Sequence, residues 1–170
     1  LIDVDLISSN LTGANLTYAD LTGANLTNVN FTGVDLAYTN LTDVDLTSTQ
    51  LIGIRLTNSN LFNVDLTGAK LIGIEFTGAN LSSANLTNVD LTGSNFIDTN
   101  LTNVDLTGAN LTNVDLTGAN LTNVDLAGAN LTDAFIGRTI LTGAKITNTN
   151  FTGANLTNVD LTGAKLTGAN

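Results

Sequence analysis

A five-residue repeat that runs through the whole chain limits what this sequence can fold into. Its clearest stretch is residues 101–130, LTNVDLTGANLTNVDLTGANLTNVDLAGAN. Position 1 of the repeat is Leu, Phe or Ile at every fifth residue from Leu1 to Leu166, so the 170 residues contain 34 repeats without an insertion or deletion. Position 2 is usually Thr, position 3 usually Gly or Asn, position 4 small or β-branched, and position 5 usually Asn or Asp. Repeats of this kind must be identified first, because they determine the fold.

The five-residue period excludes a helix and indicates short extended segments. At ~100° per residue, five residues turn ~500°, so successive position-1 residues would drift by ~140° and form no apolar stripe. In an extended segment, positions 4, 5 and 1 point inward, outward and inward. Position 3 is Gly or Asn in 24 of the 34 repeats, and these residues best tolerate positive φ. Each repeat is therefore predicted to be a short strand followed by a corner, with position 1 buried in every repeat.

The number of repeats per coil can be derived from the unusual repeats. Within 101–130, Val and Ala alternate at position 4, so stacking like on like needs an even number of repeats per coil. Three pairs recur at a spacing of twenty residues: LIGIR at 51–55 and LIGIE at 71–75, Tyr18 and Tyr38, Phe76 and Phe96. The sequence thus predicts an all-β, four-sided β-helix of about 8.5 coils, roughly 40 Å long at the usual ~4.8 Å strand spacing.

The repeat resembles the A(N/D)LTG motif of the pentapeptide-repeat family, for example at Ala24-Asn25-Leu26-Thr27-Asn28 and at Ala109-Asn110-Leu111-Thr112-Asn113. The resemblance covers the whole chain and implies a right-handed quadrilateral β-helix with four repeats per 20-residue coil. The family is best known for acidic members that mimic DNA and bind DNA gyrase, protecting it from quinolones. Those members dimerise through a C-terminal helix, and no segment of this sequence fits one. Many other members, especially cyanobacterial ones, have no assigned activity.

We expect residues 1–170 to form one elongated domain, because a solenoid does not need a single round core. The sequence is irregular only around 131–140, and no cap is visible at either end. Uncapped ends expose unpaired strand edges. We therefore expect either end-to-end self-association or attachment to missing parts of a longer chain. A fragment or processed chain is the favoured interpretation, with a designed consensus repeat as the alternative.

The composition excludes most enzyme chemistry. The chain contains no His, Cys, Met or Trp, which removes nucleophile–His pairs and typical zinc sites. We expect no enzymatic activity, no cofactor and no metal site. Weak alternatives are carboxylate catalysis or calcium binding at Asp3 and Asp5 or at Asp43 and Asp45. No apolar run is long enough to span a membrane, and we expect a soluble protein of undetermined compartment, with the cytoplasm slightly favoured.

Residues twenty positions apart form a column along the rod, and one outward column is acidic before it becomes basic. It contains Asp45, Asp65, Asp105 and Asp125, and it ends in Lys145 and Lys165. Like charges in such a ladder repel mildly. The column is either a solvated face or a candidate surface for a basic partner, and both interpretations remain open.

A second outward column places Arg55 between Asp35 and Glu75. We expect these three residues to form a structural ion pair worth well under ~1 kcal/mol at the surface. Two further pairs, Ile52 with Ile72 and Tyr18 with Tyr38, are expected to pack locally.

The segment LTDAFIGRTI, residues 131–140, replaces the usual Asn or Asp with Phe135 and Ile140. Large apolar groups are unexpected at outward positions of so polar a rod. Either a local bulge tucks both side chains inward, or both contact a partner, so Phe135 and Ile140 are candidate partner-binding residues.

The sequence is compatible with two functions. The favoured one is a non-catalytic structural scaffold or protein-interaction rod whose partner is unknown. The alternative, implied by the resemblance, is an acidic DNA mimic that binds gyrase or another DNA-binding protein. The formal charge of −10 over roughly 40 Å is less than half that of B-DNA, which has one charge per ~1.7 Å. The same acidity argues against direct nucleic-acid binding. Ice binding by threonine ladders is a third, weaker hypothesis. Ice binding needs a flat array of two Thr columns, whereas each face of this rod is expected to carry one Thr column near a corner.

Overall fold

The computed structural model describes residues 1–170 and forms a regular solenoid. Each position-5 residue from Asp5 to Lys145 makes an isolated parallel β-bridge to the residue twenty positions later. Four repeats therefore make one coil, and the coils stack in parallel as a right-handed quadrilateral β-helix, which confirms the predicted fold. The regular elements are single-residue bridges at position 5 and turns at positions 2 and 3. No helix of the length and apolarity needed to cross a membrane is present.

Backbone hydrogen bonds between neighbouring coils hold the stack together. At a typical bridge, the Leu111 N–H donates to the carbonyl of Asn130 at 2.7 Å, and the Asn130 N–H donates to the carbonyl of Ala109 at 2.9 Å. This alternation is the parallel-sheet pattern, reduced to one bridge residue per side. Every coil thus depends on its neighbours for its main-chain hydrogen bonds, as in other solenoids.

Each corner is a tight turn with a left-handed residue at position 3. The position-4 N–H donates back to the position-1 carbonyl, as from Ala119 to Leu116 at 2.9 Å. All 34 position-3 residues have φ between 52° and 73°, and only they do. Positive φ at the second central residue alone is the type II pattern, which explains the Gly and Asn preference. Tyr18, Tyr38 and Arg138 adopt the same conformation despite their side chains.

The position-1 and position-4 side chains form one continuous hydrophobic core along the axis of the rod. Position 1 is buried in the 26 repeats from Leu21 to Ile146. The prediction of burial in all 34 repeats is wrong for the terminal coils, where Leu1, Leu156 and Leu166 are exposed. A terminal coil stacks against one neighbour only, so half of the covering side chains are missing. Buried Ser and Thr at position 4 donate to carbonyls, and no buried side-chain polar atom lacks a partner.

The rod has four faces, each showing position 5 of one repeat and positions 2 and 3 of the next. We number coils 1 to 8 as consecutive blocks of twenty residues from residue 1. We name the faces after the position-5 columns that begin at Asp5 (face 1), Asn10 (face 2), Asn15 (face 3) and Asp20 (face 4). The acidic column lies on face 1 and Arg55 on face 3.

Candidate interaction surfaces

The side chain at position 5 caps the corner that follows it. In a typical case Oδ1 of Asn110 accepts hydrogen bonds from the Thr112 N–H at 3.2 Å and from the Thr112 hydroxyl at 2.7 Å. Every Asn or Asp that precedes another repeat accepts the N–H two residues on. This is an Asx turn. The sequence interpretation missed it, although the recurring Asn/Asp-Leu-Thr spacing is its signal.

Eight position-5 residues of another type leave the following corner without this cap: Gln50, Arg55, Lys70, Glu75, Phe135, Ile140, Lys145 and Lys165. They fall into two groups, one in coils 3 and 4 and one at or after coil 7. Because a net hydrogen bond contributes about 0.5–1.5 kcal/mol, each exception gives up a local stabilisation that Asn or Asp would supply. These positions therefore mark surfaces whose chemistry is not dictated by the fold.

The acidic column on face 1 begins at Asp5 and contains two adjacent pairs of acids with Asn85 between them. Asp45 bridges Asp65, and Asp105 bridges Asp125. Each carboxylate accepts a backbone N–H at 2.9–3.0 Å, so these acids also cap corners. The four candidate residues thus combine a structural role with a surface charge, and Asn would satisfy the structural role equally well.

The two ends of the column differ because Lys145 neutralises the last carboxylate. Its ammonium donates to Asp125 at 2.7 Å. Partial burial raises the pKa of Asp125, but the hydrogen bond and charge of Lys145, with the Ala127 N–H and the Thr107 hydroxyl, outweigh it and leave the pKa below its ordinary value. Asp45, Asp65 and Asp105 form no ion pair.

Two carboxylates on face 4 also have lowered pKa values, because hydroxyl and amide groups donate to them. The Thr22 hydroxyl and N–H lower the pKa of Asp20. The Thr162 hydroxyl and N–H, followed by the Thr142 hydroxyl, lower the pKa of Asp160. Thr142 donates upward to Asp160 at 3.1 Å because Ile140, the residue that precedes its repeat, offers no acceptor.

The ion pair on face 3 involves two residues rather than three. Arg55 bridges both Asp35 and Glu75 through the backbone, but its guanidinium donates only to Asp35, at 3.2 Å. The predicted participation of Glu75 is corrected: its exposed carboxylate forms no ion pair within the chain. The exposed guanidinium of Arg55 therefore binds the acid of the preceding coil, Asp35, and leaves the acid of the following coil, Glu75, without an ion pair.

Phe135 and Ile140 point into solvent, with 54% and 40% of their surfaces exposed. Phe135 bridges Asp115 and Asn155, and Ile140 bridges Asn120 and Asp160, so the register is unbroken. The alternative in which a bulge tucks both side chains inward is therefore wrong. Arg138 lies at the corner between them, exposed, without an ion pair and at φ 59°. We call Phe135, Arg138 and Ile140 the corner patch.

Two stacked aromatic pairs occupy different environments. The rings of Tyr18 and Tyr38 lie 4.8 Å apart at an interplanar angle of 11°, at the exposed edge of face 3. Phe76 and Phe96 are 4.8 Å apart in the core. Ile52 and Ile72 are exposed on face 2. Both spacings match the coil repeat, since residues twenty apart lie one above the other.

Threonine hydroxyls and acidic groups form no further site. Most position-2 hydroxyls are used in the Asx caps, so they do not present the free two-column array that the ice-binding hypothesis needs. No group of three or more His, Cys, Asp or Glu residues is arranged to hold a metal ion.

Comparison with known proteins identifies the repeat. The family model "Pentapeptide repeats (8 copies)" matches residues 1–28, 24–61 and 138–170, and the model "Pentapeptide repeat region" matches residues 59–136. No curated protein sequence matches.

Solved structures with the same fold cover nearly the whole chain. HetL, a pentapeptide repeat protein involved in heterocyst differentiation regulation from the cyanobacterium Nostoc sp. strain PCC 7120, is 30% identical with a TM-score of 0.65, over 99% of this chain and 87% of HetL. A trypsin-treated form of QnrB1, a plasmid-mediated fluoroquinolone resistance protein, is 17% identical with a TM-score of 0.75, over 99% of this chain and 88% of that one. The likeness to QnrB1 concerns the fold alone.

Proposed function

This chain belongs to the pentapeptide-repeat family, and from that premise we propose that it is a non-catalytic rod that binds another protein through the corner patch. The supporting observation is that four outward residues of 131–140, Phe135, Gly137, Arg138 and Ile140, depart from the repeat, whereas the inward residues keep to types found at those positions elsewhere. Leu131, Ala134 and Ile136 are buried like their counterparts elsewhere. The departure therefore concerns the surface and not the fold.

The corner patch is maintained at a local cost in stability. Phe135 and Ile140 each forgo an Asx cap, worth about 0.5–1.5 kcal/mol. Arg138 adopts a left-handed conformation that costs an ordinary residue about 1–2 kcal/mol. Residues that violate local rules without a compensating contact occur typically at functional sites. An aromatic ring, a free guanidinium and an aliphatic side chain are also a combination enriched in protein interfaces.

The test is affinity capture from an extract of the source organism, with the chain immobilised. The patch variant is Phe135→Asn with Ile140→Asn, which restores the repeat. The matched control is Ile52→Thr with Ile72→Thr, which removes two exposed apolar groups from face 2 and also restores the repeat. We expect a protein that binds the wild-type chain and the control but not the patch variant. Equal capture by all three would refute the proposal.

The second candidate function is mimicry of DNA toward a basic groove, supported by the acid pairs Asp45–Asp65 and Asp105–Asp125 on face 1. By the resemblance to gyrase-binding members, DNA gyrase is the partner to assay first. Changing the four acids to Asn removes charge and preserves the caps. The matched control changes Asp20, Asp90, Asp115 and Asp160 on the other faces. Inhibition of supercoiling that fades with salt and only with the face 1 variant would support mimicry, whereas no inhibition at micromolar protein would exclude it for gyrase.

A further inference from the structure

Face 3 has a side-chain composition unlike that of the other three faces. Within coils 1 to 6 it holds both tyrosines of the chain, Tyr18 and Tyr38, and Arg55, the one arginine of those coils. Tyr, Phe and Arg are the residues most enriched in protein interfaces, and Tyr and Arg are prominent among binding hot spots. The outward residues of the remaining faces are mainly Asn, Asp and Thr.

In coils 3 and 4, which follow the coils of the two tyrosines, face 3 carries opposite charges on neighbouring coils. Arg55 in coil 3 and Glu75 in coil 4 both replace the capping Asn or Asp. No side chain accepts the N–H of Thr57 or Thr77, whereas Thr117 on the same face is capped by Asp115. Glu75 forms no ion pair within the chain. The two charges are thus adjacent, outward, and incompletely matched in the single rod.

We propose that face 3 binds a second copy of this chain, with the two rods antiparallel and the two-fold axis lying between coils 3 and 4. A two-fold interface is self-complementary, so a residue in coil 3 meets coil 4 of the second copy, coil 2 meets coil 5, and coil 1 meets coil 6. This register follows from the bridges, which place residues twenty apart in straight columns.

The charges match in this arrangement. Arg55 of each copy faces Glu75 of the other, so two ion pairs form and the free carboxylate obtains a partner. Asp35 faces Asn95, and Asn15 faces Asp115. No two like charges of the outward column meet, which matters because like charges brought together at an interface cost several kcal/mol.

The edge of the face matches as well. Tyr38 faces Asp98 of the second copy, so its hydroxyl can donate to a carboxylate. Tyr18, with 74% of its surface exposed, faces Gly118, which leaves room for the ring. The same operation therefore brings aromatic and hydrogen-bonding groups into register with the charges.

Neighbouring registers of the two rods pair the charges of face 3 less well. An axis through coil 3 sets Arg55 against Arg55, and an axis through coil 4 sets Glu75 against Glu75. An axis between coils 4 and 5 pairs Arg55 with Asp115 but leaves Glu75 opposite Asn95. Among registers near the centre of the rod, only the proposed one pairs both central charges.

The available area is sufficient for a stable dimer. One quarter of the accessible surface of 7181 Å² is about 1800 Å² per face, and a standard interface buries about 800 Å² on each partner. Less than half of face 3 would therefore supply it. Phe135 and Ile140 lie in coil 7, outside the six coils that pair, so this proposal does not depend on the corner patch or on its partner.

The experiment uses sedimentation velocity on the whole chain up to about 100 µM, with circular dichroism to verify folding. We expect the wild-type chain to dimerise, and Arg55→Glu and Glu75→Arg each to weaken dimerisation by at least about 10-fold, because each places like charges opposite one another. Mixing the two variants should restore a heterodimer. In it the carboxylate introduced by Arg55→Glu faces the guanidinium introduced by Glu75→Arg, and the unchanged Glu75 of the first variant faces the unchanged Arg55 of the second.

The matched control is Lys145→Glu on face 1, since Lys145 is ion-paired to the preceding coil in the same manner as Arg55. It should leave the dimer intact. A wild-type chain that stays monomeric would overturn the proposal, as would a dimer that resists Arg55→Glu, a loss caused by Lys145→Glu, or folded variants that fail to recombine. Equal capture of a protein by the wild-type chain, the patch variant and its control, with the dimer intact, would instead count against the proposed function alone.

Discussion

Residues 101–130 and residues 131–140 differ in sequence and share one backbone. In both segments position 1 is at most 1% exposed, and position 3 has φ between 57° and 73°. The bridges run through both segments without a shift. The large differences are outward, where Phe135 and Ile140 replace Asn or Asp, Gly137 replaces Thr or Ala, and Arg138 replaces Gly or Asn. Inward, Ile136 replaces Leu and Thr139 replaces Val or Ala, and both remain buried. The comparison shows that burial and corner geometry maintain the coil, whereas the outward positions can change with little effect on it.

The largest effects are expected at position 1, and they should be equal in the two segments. Leu111→Ala and Ile136→Ala should each lower the free energy of unfolding by about 2–5 kcal/mol, because each leaves a cavity in a close-packed column. Denaturant unfolding measures this, with Thr112→Ala as an outward control. Hydrogen exchange should show loss of protection in the adjacent coils too. A much smaller cost at Ile136 would mean that the irregular coil is loosely packed.

The corner position should give intermediate effects of opposite sign. Gly118→Ala should destabilise by about 1–2 kcal/mol, because φ is +73° and the new Cβ would collide with Oδ1 of Asp98. Arg138→Gly should stabilise by up to about 1 kcal/mol, since left-handed strain is relieved while chain entropy opposes it.

The neighbouring Gly137 provides the control for the corner experiment. It lies at position 2 without positive φ, and a Cβ there would meet only the Thr157 carbonyl at 3.5 Å. Gly137→Ala should therefore be neutral or stabilise by about 0.4–1 kcal/mol. Thermal unfolding that ranked Gly137→Ala as more harmful than Gly118→Ala would contradict the turn assignment.

Exchange of outward residues within one column should give smaller effects. Ile140→Asn should stabilise by about 0.5–1.5 kcal/mol, because it restores the Asx cap, and Asn120→Ile, one coil below, should destabilise by a similar amount. Chemical denaturation of the two variants and of the double exchange tests this. If both changes were destabilising, Ile140 would be making a stabilising contact that offsets the missing cap.

The smallest difference is expected in pH dependence. The lowered pKa values of Asp125 and Asp160 mean that their stabilisation is present above the unfolded pKa of about 3.9 and is lost as pH falls through the lower folded pKa. At about pH 6, Asp125→Asn and Asp160→Asn should each melt below the wild-type chain, and these differences should vanish by about pH 2.

Added salt should change the effect of Asp125→Asn and leave that of Asp160→Asn largely unchanged. The effect at Asp125 should weaken at about 0.5 M salt, because Lys145 provides part of it, whereas Asp160 is stabilised by hydroxyl and amide donors. Equal salt sensitivity of the two variants would indicate that the ion pair with Lys145 adds nothing.

Much of the fold could be predicted because the same preferences for burial, extension and positive φ recur in 34 repeats. The recurrence of unusual repeats at a spacing of twenty residues predicted the length of the coil, and the structure confirms this length. Burial at the terminal repeats could not be derived from the pattern, since burial depends on neighbours on both sides of a coil. The stacking of Tyr18 on Tyr38 followed directly from the coil length.

The candidate sites were less predictable, because they combine side chains of adjacent columns, and the repeat specifies no contact between columns. Placing Arg55 between two acids did not reveal which one it would bind, and at the surface small differences in side-chain geometry decide that choice. The Asx caps do not follow from the outward direction of position 5, because an outward Asn or Asp can equally well be solvated. The shared position of both tyrosines and both arginines on face 3 emerges only when adjacent columns are combined.

By itself, the sequence determined the period, the inward residues and the corners, because alternation and tolerance of positive φ are local properties of a residue. Only the tertiary structure decided how outward residues meet: Arg55 with Asp35, Lys145 with Asp125, and Phe135 and Ile140 left exposed around Arg138. Such contacts join residues twenty positions apart in a shared solvent-exposed environment, where several arrangements have similar energies, so the repeat cannot specify them.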